Sequence, residues 1–147
     1  MLTLDYRIQI NTTPEKVWTA LWDFEHYKTW TRPFCEGSYF KTDGFKQGNR
    51  IHFLVPEGEG LYAVIDKVEP EKYMAFRHLG SVENFEELPP EKEPQPWPEM
   101  MEIYRLSPNE NGTEVWVSVD TLETYASSIG EKFPLALSEL KTIAENL

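Results

Sequence analysis

A chain of 147 residues can bury one core without disulfides or metals, and its formal net charge of -11, from 14 basic against 25 acidic residues, repels phosphate backbones and anionic headgroups alike. Nucleic acid and membrane are excluded as expected partners on that ground. The only cysteine, Cys35, has no internal partner for a disulfide and the three histidines show no metal-ligand spacing, so the expectation is a cytoplasmic protein with no metal and no cofactor.

The amino terminus opens with alternation. Leu2, Leu4, Tyr6, Ile8 and Ile10 occupy every second position, which predicts a half-buried strand and neither a signal peptide nor a membrane span. A helix start follows: Thr13 supplies a capping hydroxyl, Pro14 suits a first turn that needs no N–H donor, and Glu15 complements the positive end. Val17, Ala20, Leu21 and Phe24 keep helical spacing, and a second short helical or turn segment from Glu25 to Trp30 carries Tyr27 and Trp30 before Pro33 halts it. Six strands are then predicted, at Gly37 to Lys41, Asn49 to Val55, Gly60 to Val68, Tyr73 to Leu79, Met100 to Leu106 and Thr113 to Leu122. Turn signals such as Asp43-Gly44, Pro56-Glu57-Gly58 and Asn109-Glu110-Asn111-Gly112 lie between them, so sequential strands pair antiparallel.

Between Gly80 and Glu99 proline and acid are too dense for core, which predicts one long loop whose Phe85, Leu88 and Trp97 supply enough apolar surface to fold down as a lid. The chain closes from Ser127 to Leu147, where Ile129, Phe133, Leu137, Leu140, Ile143 and Ala144 recur at three- and four-residue steps on one face of a long helix. Pro134 falls inside that stripe, and a kink or a fresh helix start is expected there. No linker or repeat divides the chain, so residues 1–147 are read as one domain.

A strand, two short helices, a run of antiparallel strands and a last long helix is the order of the α+β helix-grip fold, in which a curved antiparallel sheet of about six to seven strands wraps a carboxy-terminal helix. Particular residues sharpen the match. Thr13-Pro14-Glu15-Lys16-Val17-Trp18 followed by Trp30, then Asp43-Gly44 and Gly48, then Val68-Glu69-Pro70, then Pro108 with Gly112-Thr113, resembles the domain homologous to the activator of Hsp90 ATPase, within the START-like (SRPBCC, Bet v 1-like) superfamily. The resemblance covers essentially the whole chain and implies a cavity between sheet and helix, used across the superfamily for lipids, polyketides, hormones or aromatic compounds. The glycine-rich loop of the plant allergen branch is missing, since Asp43 to Gly48 holds only two glycines.

With Leu106 as the last core position, as the resemblance implies, Glu102 and Tyr104 face inward; by the same parity Met74, Phe76 and His78 share a face, as do Val115, Val117 and Val119. The expected ligand contacts are Trp18, Phe53, Phe76, Trp97, Tyr104, Val117, Phe133 and Leu137, with His78 and Glu102 orienting a polar end. His52 and His26 are placed at the surface or rim. The resulting expectation is non-catalytic binding of a small hydrophobic or lipid-like ligand, with no catalytic residues assigned. Two alternatives accompany it: a cyclase or aromatase using His78 and Glu102 as acid and base, and a chaperone cofactor of the Hsp90 type. Arg77 and Trp116 fall on the outward face, where Met101, Ile103 and Trp116 form an apolar patch suited to a homodimer.

Overall fold

The computed structural model describes residues 1–93 and 97–147, so Pro94, Gln95 and Pro96 of the expected loop lie outside the described residues. The first strand, β1 (Leu2–Ile10), leads into α1 (Pro14–Trp22) and α2 (Phe24–Trp30). Thr13 caps α1 as its position predicts, its hydroxyl accepting from the Lys16 amide at 3.4 Å. Asp23 then serves as both the end of α1 and the cap of α2, its carboxylate accepting from the amides of Glu25 and His26 at 3.1 Å. The indole of Trp30 donates to the Leu21 carbonyl at 3.0 Å, which satisfies a group that the end of α1 leaves without an intrahelical partner and locks the two helices together.

The remaining strands are β2 (Tyr39–Thr42), β3 (Arg50–Leu54), β4 (Gly60–Glu69), β5 (Tyr73–Glu83), β6 (Glu86–Glu87), β7 (Met100–Asn109) and β8 (Gly112–Thr121). They form one antiparallel sheet in the order β1-β8-β7-β5-β4-β3-β2, with the two-residue β6 paired to the far end of β5. Two register shifts between β4 and β5 leave Asp66 and Leu79 without partners in the ladder. Such bulges bend a sheet, and here they lie near its middle, where the curvature is needed.

The last helix, α3 (Glu123–Glu145), runs 23 residues, about 34 Å at a rise of ~1.5 Å per residue. It begins four residues before the expected Ser127 and passes through Pro134 without a fresh start. Pro134 lies on the exposed side, where water can satisfy the Gly130 carbonyl that loses its intrahelical donor. The buried stripe is Phe133, Ala136, Leu137, Leu140 and Ala144, and it packs chiefly on β1, α1 and α2. Phe133 stacks on Tyr6 with ring centroids 4.9 Å apart, and Lys141 donates to the Gln9 carbonyl at 2.7 Å. Aromatic edges fill the core below: Trp22 meets Phe76 at 5.4 Å and Tyr104 at 5.0 Å.

The proline- and acid-rich segment is more ordered than one long loop. β5 continues to Glu83, turns through Asn84 and Phe85, both at positive φ, and returns as β6, before a short 3-10 turn at Pro90–Lys92. This hairpin covers a second apolar cluster of Leu54, Tyr62 and Val82, and the Tyr62 hydroxyl donates to the Leu88 carbonyl at 3.2 Å. Leu88 and Phe85 are thus turned away from a lid role: Phe85 is 56% exposed and its backbone N–H donates to Gly58, while Leu88 lies against Tyr62.

Gly112, at φ +138°, packs so closely on the β1–α1 junction that a Cβ would sit 2.3 Å from the Ile10 carbonyl oxygen and 2.7 Å from the Thr12 nitrogen. Gly48, at φ +91°, has nothing within 4 Å of the same position. Gly112→Ala is therefore expected to cost about 2 kcal/mol or more and Gly48→Ala about 1 kcal/mol, measured by urea unfolding.

Candidate ligand-binding cavity

The main contacts of α3 run along β1 and the two short helices, and the space above the inner face of β3, β5 and β7 stays open as a cavity of about 900 Å³. Its walls come from Tyr27 of α2, Phe34 after it, Phe53 of β3, and Ile129 with Phe133 of α3; Trp97 and Pro98, just before β7, close one flank. Most of this lining is apolar, so a polar group within it stands out energetically.

One such group lies on the β5–β7 wall. In the ladder Phe76 faces Glu102 and His78 faces Met100, so His78 and Glu102 are diagonal neighbours on one face, and Tyr104 follows Glu102 at the two-residue period. Glu102 uses its two oxygens separately: Oε1 faces His78 Nε2 at 3.1 Å, and Oε2 accepts from the Tyr104 hydroxyl. A carboxylate only accepts, so this pair selects the tautomer with hydrogen on Nε2. Nδ1 is then left buried without a partner, beside the Phe53 ring. His78 is 9% exposed and the Glu102 side chain 21%, so of the two wall residues Glu102 is the more open.

The phenols around Glu102 are strongly perturbed. Burial pushes the Tyr104 hydroxyl well above its usual range, and the charge of Glu102 and their hydrogen bond push further. Tyr27 is raised by the same two causes, burial first and Glu102 second. Other polar groups ring the cavity. Thr31 Oγ1 and Ser38 Oγ are 2.7 Å apart, Glu93 accepts from the Ser81 amide at 2.8 Å, and Asp120 accepts from the Met101 amide at 2.9 Å.

Of the ligand contacts expected from sequence, Phe53, His78, Trp97, Glu102, Tyr104 and Phe133 lie on the cavity wall. Trp18, Phe76, Val117 and Leu137 do not. Phe76 and Val117 point inward but lie where α1 and the rest of α3 close over the sheet, so neighbouring rings and aliphatics bury them fully; Leu137 is one turn past Phe133 and equally covered. Trp18 is on the side of α1 that meets Trp22 edge-on at 6.2 Å. Tyr27, Phe34, Glu93, Asp120 and Ile129 are wall residues that strand parity missed, although Ile129 stands one helical turn before Phe133 and could have been found from that spacing. His52 and His26 sit outside the cavity, paired with Glu87 at 2.9 Å and Asp23 at 3.9 Å.

On the outer face Met101, Ile103 and Trp116 are half-buried neighbours, as parity requires, but the patch is not bare hydrocarbon. Arg7 and Arg105 lie over the Trp116 ring at 4.2 and 4.1 Å, and its indole donates to Asp5 at 3.0 Å. Among the described residues no group of three His, Cys, Asp or Glu side chains is arranged to hold a metal, and no helix is long and apolar enough to cross a membrane.

Because Tyr27 and Tyr104 stay protonated in the folded chain above the ordinary phenol value of 10.0, their contribution to stability is complete below that pH and is lost as pH rises beyond it. Stability is expected to fall above pH 10.0 with a slope of about 1.4 kcal/mol per pH unit for each group. Urea unfolding across alkaline pH should show the slope reduced by one proton in Tyr27→Phe.

The family described as Activator of Hsp90 ATPase homolog 1-like protein matches residues 11–145. No curated protein sequence matches. Among solved structures, protein MLL2253 from Mesorhizobium loti superposes with a TM-score of 0.75 at 18% identity, covering 99% of this chain and 98% of that one. The Aha1 dimer from Colwellia psychrerythraea gives a TM-score of 0.70 at 24% identity, over 99% and 97% of the two chains. DynU16, from the dynemicin biosynthetic locus, gives 0.72 at 14% identity, over 97% of this chain and 47% of its own. Those likenesses establish a shared helix-grip architecture, and the match over residues 11–145 shows that the chain belongs to the Activator of Hsp90 ATPase homolog 1-like protein family, within the START-like superfamily.

Proposed function

We propose that this chain binds a small apolar molecule in the cavity between sheet and α3, with the polar end of that molecule set against Glu102. The observation that carries this reading is a space of about 900 Å³, lined mainly by rings and aliphatic groups, with the His78–Glu102–Tyr104 cluster on its wall. Drug-sized ligands occupy cavities of roughly 300–1,000 Å³ with just this division between apolar walls and a few fixed polar groups. An acid/base reaction draws on the same His78–Glu102 contact, but Nε2 is occupied by Glu102 and Nδ1 is shut away from both solvent and partner, so neither ring nitrogen meets a substrate in this arrangement. Binding without turnover is the better-supported reading.

Ligand binding to the folded state raises stability by about 2.7 kcal/mol when the ligand stands near 100 times its Kd. A thermal-shift screen of small apolar and aromatic compounds should therefore find members that raise Tm by several degrees. Ile129→Trp, which narrows the cavity from α3, should change which compounds give shifts while leaving the unliganded chain folded. A screen with no shift, or shifts whose pattern Ile129→Trp leaves unchanged, would remove the proposal.

Self-association through Met101, Ile103 and Trp116 is the finer reading of the outer face, favoured by the half-buried side chains gathered there and by the dimeric Colwellia relative. Sedimentation velocity should then show a dimer that Ile103→Lys converts to monomer; an unchanged profile places any dimer elsewhere.

A further inference from the structure

Charge in the cavity wall is one-sided. Glu93, Glu102 and Asp120 all line it, and among the described lining residues there is no lysine or arginine. His78 is the one other group able to carry a positive charge, and its accessible chemistry is taken up by Glu102. The amino-terminal end of α3 opens at the same rim, where Leu122, Thr124 and Tyr125 contribute to the lining, but Glu123 stands in that first turn and offsets the positive end of the helix.

Resting on the reading of the cavity as a binding site, we propose that its ligand carries a positively charged head, an ammonium on an aromatic or aliphatic body, and that carboxylates and phosphates are rejected. An anionic head would meet Glu102 across an apolar space with no compensating cation, and the low local polarity makes that repulsion stronger than in water. An ammonium meets the opposite situation: the Glu102 carboxylate already holds two donors but retains lone pairs, and Tyr27, Phe53 and Trp97 contribute aromatic rings to the same cavity wall. The chain's overall charge of -11 adds to the same preference by concentrating cations near the surface.

The test uses the full chain and three probes with one body and three heads: 1-naphthylmethylamine, 1-naphthalenemethanol and 1-naphthoic acid, titrated by calorimetry at neutral pH. The neutral alcohol reports on the cavity as a container, and the two charged probes report on head selection. The amine is expected to bind roughly tenfold or more tightly than the acid, and more tightly than the alcohol. Raising salt should weaken the amine and leave the alcohol unchanged, and Glu102→Gln should narrow the gap between amine and acid. Should that variant fail to fold, the salt series on the unaltered chain decides the matter alone. Alcohol binding with acid equal to or tighter than amine overturns the charge inference and leaves the container standing. If no probe binds, both fall.

Discussion

The seating of α3 on the edge strand governs the rest of the molecule. Tyr6 and Phe133 stack face to face, Lys141 reaches the Gln9 carbonyl, and Glu145 accepts from the Asn11 amide at 2.8 Å, so the helix is held along β1 and the start of α1. A helix centred on the sheet would bury β5 and β7 under its own stripe. Held to one side, it leaves those strands partly uncovered, and the carboxy-terminal half of the stripe is spent on α1, α2 and β1. The cavity is what the off-centre seating leaves behind.

Within that space the Glu102 cluster is an energetic liability. A carboxylate in apolar surroundings costs several kcal/mol unless hydrogen bonds compensate, and here two side-chain donors do so. The compensation does not extend through the cluster, because His78 Nδ1 remains buried without a partner. A hydrocarbon replacement would pack this wall with less conflict, and a polar cluster placed where the core opens into the cavity is the physical reason for reading it as a site.

Strand parity was the most legible part of the sequence. With Leu106 taken as inward from the family resemblance, parity puts Glu102 and Tyr104 on that face, and the same counting on β5 groups His78 with Phe76, because a one-residue slip would turn every side chain over. Depth along the strand was not legible. Phe76 and His78 share a face, yet Phe76 lies under Trp22 and His78 borders the cavity, a difference set by where α1 and α3 cross the sheet and not by any local pattern. The β5–β6 hairpin was missed because Asn84-Phe85 lacks the glycine that usually marks a turn with two positive-φ residues. The bulges at Asp66 and Leu79 carry no sequence mark, and α3 begins after Leu122, which offers no capping side chain.

The sheet runs from β1 to β2 without closing on itself. In a closed barrel, strand number and stagger dictate the bore, so a different interior requires a different ladder. An open sheet braced by a helix has no such dependence: the interior is set by whatever side chains the helix turns toward it. Exchanging Ile129, which lines the chamber outside the Tyr6–Phe133 stack that seats α3, would resize the chamber while every backbone pairing stayed in register, which makes this architecture easy to retune for new occupants.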